Sequence, residues 1–165
     1  MNNPTTNTVT RITILPETNE MKAIVYQKDG PPDVLELQEV EKPTPKDDEV
    51  LVKVQAASVN PLDWHFLRAT PFFGRLAMRL LKPKRKIVGA DLAGRVEAVG
   101  GNVKQFQPGD EIFGSIFFYG YLGAFAEYVC VTEKALVLNP AGTTFEEAAA
   151  VPVAAVIALQ GLRDR

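Results

Sequence analysis

Short runs of alternating apolar and polar residues, each closed by proline or glycine, most constrain what this chain can fold into. The run EVLVKVQAASV places Val50, Val52 and Val54 on one face, the two-residue period of a half-buried strand. MKAIVYQ reads as a strand from Met21, and VLELQEVEKP alternates until Pro43 ends it. IVGADLAGRVEAVG is a further strand, in which Gly89, Gly94 and Gly100 permit bends or close backbone approach. FQPGDEIFGSI leaves a Pro-Gly turn as a strand, and GAFAEYVCVTE and ALVLN complete the set. No long helical pattern interrupts these runs before about residue 140. Short strands at this spacing predict a barrel or a sandwich.

The pattern then switches. In TTFEEAAAVPVAAVIALQGLRDR, Thr144 and Glu147 have capping-box spacing, and so do Thr143 and Glu146. Pro152 suits the first turn of a second helix. At the other end, residues 1–20 are polar and turn-rich, so they read as a loose extension in which RITIL is at most an edge strand. The 165 residues suffice for one domain with a core. A net charge of −2 gives no reason to expect nucleic acid as a partner. A single cysteine, Cys130, excludes an internal disulfide framework. The longest apolar run, AAAVPVAAVIAL, has 12 residues and contains Pro152, whereas a membrane span needs roughly 20. Met1–Thr10 lacks the pattern of a signal peptide, so a cytoplasmic, reduced setting is expected.

The series MKAIVY, EVLVKVQAASVNPLD, VGADLAGRVEAVG, FQPGDEIFG, GAFAEYV and AAAVPVAAVIALQGL resembles the medium-chain dehydrogenase/reductase superfamily. The match is to its zinc-independent quinone-oxidoreductase, or zeta-crystallin-like, branch. It runs in order from Met21 to about Asp164. The resemblance implies a mainly β, GroES-like (chaperonin-10-type) partly open barrel over residues 21–142, with connector helices over 143–165. In the family those helices lead into a Rossmann domain that binds NADPH or NADH. This sequence holds no G-x-G-x-x-G and no βαβ pattern, so the Rossmann domain is read as absent from it. The chain is therefore expected to be a truncated, substrate-side part, inactive by itself. The activity implied is hydride transfer from NAD(P)H to a small quinone, enone or other carbonyl. A stand-alone barrel used for binding or scaffolding, without catalysis, is the alternative, and a non-functional truncated product is a third reading.

The stretch SVNPLDWHF, with the only histidine, carries most of the implied site. Zinc-dependent relatives place a cysteine at Asn60 and a histidine at Ala90, and Asp91 stands at their glutamate. Asparagine is a poor zinc ligand and alanine none, so no metal is expected. Asn60 is a candidate catalytic and cofactor-binding residue, because its amide can orient a carboxamide or a carbonyl. The plain alternative is a turn residue before Pro61. Asp63 reads first as a structural acceptor for its own turn, and second as a cofactor contact. His65 aligns with a proton relay of zinc alcohol dehydrogenases, but packing between Trp64 and Phe66 is the preferred reading. On the last helix the family usually has threonine at Ile157, which offers no hydrogen bond; Gln160, one turn on, could compensate. Phe117, Phe118, Tyr119 and Tyr121 either line a pocket for a flat quinone or close the barrel. From Trp64 to Ala90 there is no acidic residue but there are Arg68, Arg75, Arg79, Lys82, Lys84, Arg85 and Lys86. A solvated face is preferred there over membrane contact.

Overall fold

The computed structural model describes residues 19–68, 86–119 and 122–163. Among them are eight strands, and every strand pairing is antiparallel. β1 (Glu20–Tyr26) lies between β2 (Glu36–Glu41) and β4 (Lys86–Ile87) in a three-stranded sheet. The second sheet runs β7 (Tyr128–Thr132), β3 (Glu49–Ser58), β5 (Asp91–Val99), β6 (Glu111–Ser115), β8 (Val137–Leu138). An isolated bridge between Ala23 and Ala126 ties the sheets together, and the Ile24 N–H donates to the Phe125 carbonyl at 2.8 Å. The sheets do not close on each other, which is the partly open barrel the resemblance implies.

The alternation in β3 does what its period requires. Val50 and Val52 are fully buried and Val54 packs beside them, while Lys53 and Gln55 face out. Leu92, Ile112, Ile116 and Val131 complete the centre of the core. Burying each such side chain contributes roughly 1.5–3 kcal/mol. In β2 the alternation is turned outward: Leu37 is 70% exposed and lies opposite Ile24. It forms an apolar cross-strand pair on the outer face of the sheet.

One expected strand is two. IVGADLAGRVEAVG splits into β4, in the first sheet, and β5, in the second. Val88–Ala90 crosses between them, with Gly89 at a φ of +107°, a region open to glycine. Gly94 serves a close approach, since a Cβ there would meet the Lys53 carbonyl oxygen at 2.3 Å.

A helix, α1 (Pro61–Leu67), follows β3 where the sequence suggested only a turn. At α2 (Phe145–Ala149), Thr144 is the cap: its Oγ1 accepts the Glu147 N–H at 3.2 Å, and Glu147 Oε2 accepts the Thr144 N–H at 2.9 Å. Ala148 and Ala149 pack on Ala93 of the sheet. In α3 (Pro152–Arg163) only Pro152 and Val153 are buried. No described helix is long and apolar enough to cross a membrane. RITIL lies outside the described residues.

Candidate functional site

Asn60 is the N-cap of α1, with Pro61 at the first helical position, where a missing N–H costs nothing. Asn60 and Asp63 form a capping box, each side chain facing the other's backbone N–H. The Asn60 N–H donates to Asp63 Oδ2 at 2.8 Å, and the Asp63 N–H donates to the Asn60 carbonyl at 3.1 Å. The Asn60 amide has further partners. Its Nδ2 donates to Ser58 Oγ at 3.1 Å and to Asp91 Oδ2 at 3.2 Å. Asn60, Asp63 and Asp91 are all buried.

Asp91 is the residue the sequence reading left out of the site. It opens β5, is fully buried, and pairs in register with Ser58 on one side and Ser115 on the other. Its Oδ2 also accepts the Val153 N–H at 2.9 Å. One carboxylate oxygen thus joins α1, β5 and the first turn of α3. The available signal was an acid inside the small, apolar VGADLAG run, because a buried charge needs partners. Asp63 feels this neighbour. Burial pushes its carboxyl above the usual range and the charge of Asp91 adds to the rise, while the N–H groups of Asn60, Gly89 and Ala90 oppose it.

The other expected site residues fall on three neighbouring features. His65 lies about 200° around α1 from Asp63, is exposed, and stacks edge-on against Trp64 at 4.6 Å. Ile157 and Gln160 follow Val153 at helical spacing of four and seven residues, on the face that begins at Asp91, and both are exposed. Phe117 packs on Phe66 of α1 at 5.2 Å and touches Phe118 at 5.5 Å; Tyr119 is 49% exposed. An aromatic flank therefore runs from α1 onto the short turn Phe117–Tyr119. Tyr121 lies outside the described residues. So do Arg75, Arg79, Lys82, Lys84 and Arg85 of the basic segment. Arg68 sets its guanidinium over Trp64 at 4.8 Å.

At the positions of the zinc ligands stand Asn60 and the fully buried Ala90. Among the described residues no three His, Cys, Asp or Glu side chains converge to hold a metal ion. Cys130 lies in β7, away from the site, with its thiol pushed up to about 11 by burial and by the charge of Glu49.

A partly open antiparallel barrel, with an Asn-Pro helix start tethered to a C-terminal helix, is the architecture of a GroES-like domain. Residues 46–141 match the alcohol dehydrogenase GroES-like domain, and the chain belongs to that family. It is 39% identical over 150 residues to the 2-methylene-furan-3-one reductase of Solanum lycopersicum, covering 87% of this chain and 37% of that protein. It is 37% identical over 145 residues to the chloroplastic quinone-oxidoreductase homolog of Spinacia oleracea, covering 86% and 42% respectively. The quinone oxidoreductase from Coxiella burnetii superposes with a TM-score of 0.80 at 32% identity, over 88% of this chain and 45% of that one. The Escherichia coli quinone oxidoreductase complexed with NADPH gives 0.72 at 26% identity, over 86% and 40%. The chain thus spans between 37% and 45% of the length of these relatives.

Proposed function

We propose that this chain supplies the substrate-side domain of a zinc-independent, NAD(P)H-dependent oxidoreductase that reduces quinones or enones. The observation that carries the reading is Asn60. It is held at the head of α1 in a capping box with Asp63, and its amide is bonded to Asp91, hence coupled to α3. The named activities of the relatives support the same class. So does the aromatic flank of Phe66, Phe117 and Tyr119, which suits a flat conjugated substrate. A bound reduced nicotinamide supplies the hydride, and a proton completes the reduction of the acceptor. The residues present fit such a group: Ser58 and Asp91 hold the Asn60 amide in place, and Ile157 and Gln160 lie open along the adjoining helix. Ile157 gives packing where a threonine would give a hydrogen bond, and losing one such bond costs roughly 0.5–1.5 kcal/mol. His65 is kept as a proton relay only on its alignment. A reduced, cytoplasmic compartment suits the single thiol.

The test begins with NADPH and NADH titrations of the 165-residue chain, followed by fluorescence. Quinone and enone reduction is then assayed with the chain alone and with it joined to the nucleotide-binding domain of a relative. The expected result is turnover from the joined protein, lowered by Asn60→Ala, and none from the chain alone. No turnover from the joined protein with any quinone or enone would overturn the reading.

A further inference from the structure

We propose that the open seam of the barrel, along the free edge of β7, binds an uncharged, mostly hydrocarbon molecule of about ten to twelve carbons with one hydrogen-bonding end. The two sheets meet at the bridge from Ala23 to Ala126, where the Glu127 N–H donates to the Lys22 carbonyl at 3.0 Å. Continuing that register would set Met21 opposite Tyr128, yet among the described residues β1 pairs with β2 and β4, and β7 with β3. The strands part there, and a cleft of about 300 Å³ opens between the sheets. Met21 and Val40 of the first sheet, Pro43 just after β2, and Leu122 and Val129 line it with apolar surface. Val40, Pro43 and Leu122 are only half-buried by the fold, so a ligand removes further apolar area from water. An apolar cavity of about 150 Å³ takes one benzene ring, so twice that space takes about ten to twelve carbons.

The chemistry of the lining selects against charge. The Cys130 thiol, pushed up to about 11 by burial and by the charge of Glu49, stays neutral. Lys42 commits its ammonium to Glu97 at 3.2 Å and sits over the Tyr128 ring at 3.8 Å. The charged lining residue is Glu41, and an acid there disfavours a carboxylate head. The backbone meets the polar end of the ligand. The Val54 N–H donates to the Glu127 carbonyl at 2.9 Å. The antiparallel ladder alternates from there, so Val129 and Val131 bond to β3 while the Tyr128 and Cys130 peptide groups turn to the free edge. An edge strand offers such groups to an incoming partner, and a hydroxyl can both donate to and accept from them. None of the lining residues belongs to the network of Asn60, Asp63 and Asp91 or to the aromatic flank. The site therefore stands apart from the proposed function.

The test titrates the full chain with 1-decanol and reads it by methyl NMR. The Met21, Val40 and Val129 methyl resonances should shift together and saturate. At about ten times Kd, alkylation of Cys130 by iodoacetamide in the fold should slow by about tenfold, because the ligand covers the thiol. Decanoate, with the same chain and a charged head, should bind at least about tenfold more weakly. Val40→Phe places a ring in the cleft and should weaken 1-decanol by at least about tenfold. The wild-type map and the alkylation rate decide the matter should that variant fold poorly. Shifts confined to Ile157 and Leu162 on the exposed side of α3, shifts that do not saturate, or none at all would overturn the site. So would an alkylation rate that 1-decanol leaves unchanged, or undiminished binding by a folded Val40→Phe. Equal binding of decanoate would overturn the ligand class. No arm uses turnover, so the oxidoreductase reading stands or falls separately in the reduction assay.

Discussion

Replacing Gly94 by alanine should be among the most damaging single-atom-scale changes in the barrel. Gly94 lies in β5, fully buried, between β3 and β6. An added Cβ would meet the Lys53 carbonyl oxygen at 2.3 Å, the Lys53 carbonyl carbon at 3.1 Å and Val52 Cγ1 at 3.1 Å. Ordinary carbon–oxygen contacts begin near 3.3 Å, so the carbonyl must retreat by about 1 Å. It cannot do so alone, because Lys53 is paired to Tyr128 of β7 on its other side. Overpacking costs about 1–3 kcal/mol, and one or two weakened ladder bonds add about 1 kcal/mol each. The sum is a loss of about 2–5 kcal/mol. At about 2–4 °C per kcal/mol for a chain of this size, Tm should fall by at least about 4 °C. Gly101→Ala is the control: a Cβ there meets nothing within 4 Å, so stability should stay within about 0.5 kcal/mol. Urea melts of both variants read the difference. A Gly94→Ala protein within about 1 kcal/mol of the control would refute the reasoning, by showing that β3 can slide against β5 at its irregular register between Val54 and Ala56.

Three further outcomes are expected. Burial raises the Asp63 carboxyl in the fold, so the charged form is the less favoured one there. The wild type should lose stability as pH rises from about 4 through the raised value. Asp63→Asn lacks that loss, so urea melts should move in its favour from acid to neutral pH, and a constant difference would count against the raised value. Thr144→Ala should cost about 1 kcal/mol by orphaning the Glu147 N–H, while Thr143→Ala should cost clearly less; equal losses would reassign the cap. With its thiol at about 11, Cys130 should be only about one part in a thousand thiolate near pH 8. Alkylation by iodoacetamide should then run at least about a hundredfold faster in urea than in the fold, and equal rates would show an open thiol.

Much of the barrel was legible because strand burial has a strict period. Val50, Val52 and Val54 announce their face, and Pro43 and the Pro-Gly turn before Asp110 announce boundaries. Periodicity alone does not say which of two sheets a strand joins. That is why Ile87–Gly100 read as one strand: the crossing at Gly89 is a single positive φ, invisible in an apolar run. The helix at Pro61–Leu67 was missed for a related reason. Seven residues are too few to show a helical period, and Asn-Pro is as much a turn signal as a helix start. The capping box at Thr144 was ambiguous with Thr143 by spacing alone, and only the packing of Ala148 and Ala149 on Ala93 selects between them.

The pairing of Asn60 with Asp63 was legible in the sequence and that of Asn60 with Asp91 was not, and the difference is one of distance along the chain. Asn60 and Asp63 are three residues apart, so a local rule finds them. Asp91 reaches Asn60 across 31 positions and Val153 across 62, which only the strand register brings together. That register also gives the Asn60 side chain a second set of partners. It stands in the capping box with Asp63 and donates through Nδ2 to Ser58 and Asp91. A substitution that keeps the cap and changes the amide separates them. Asn60→Ser retains a residue favoured at helix starts and the backbone bonds to Asp63, yet withdraws the amide from Asp91. The α1 backbone should then stay protected from exchange while protection of the Val153 N–H, which shares Asp91 Oδ2 with the amide, changes. If α1 frays instead, the Asn60 amide itself holds the helix start and serine does not replace it.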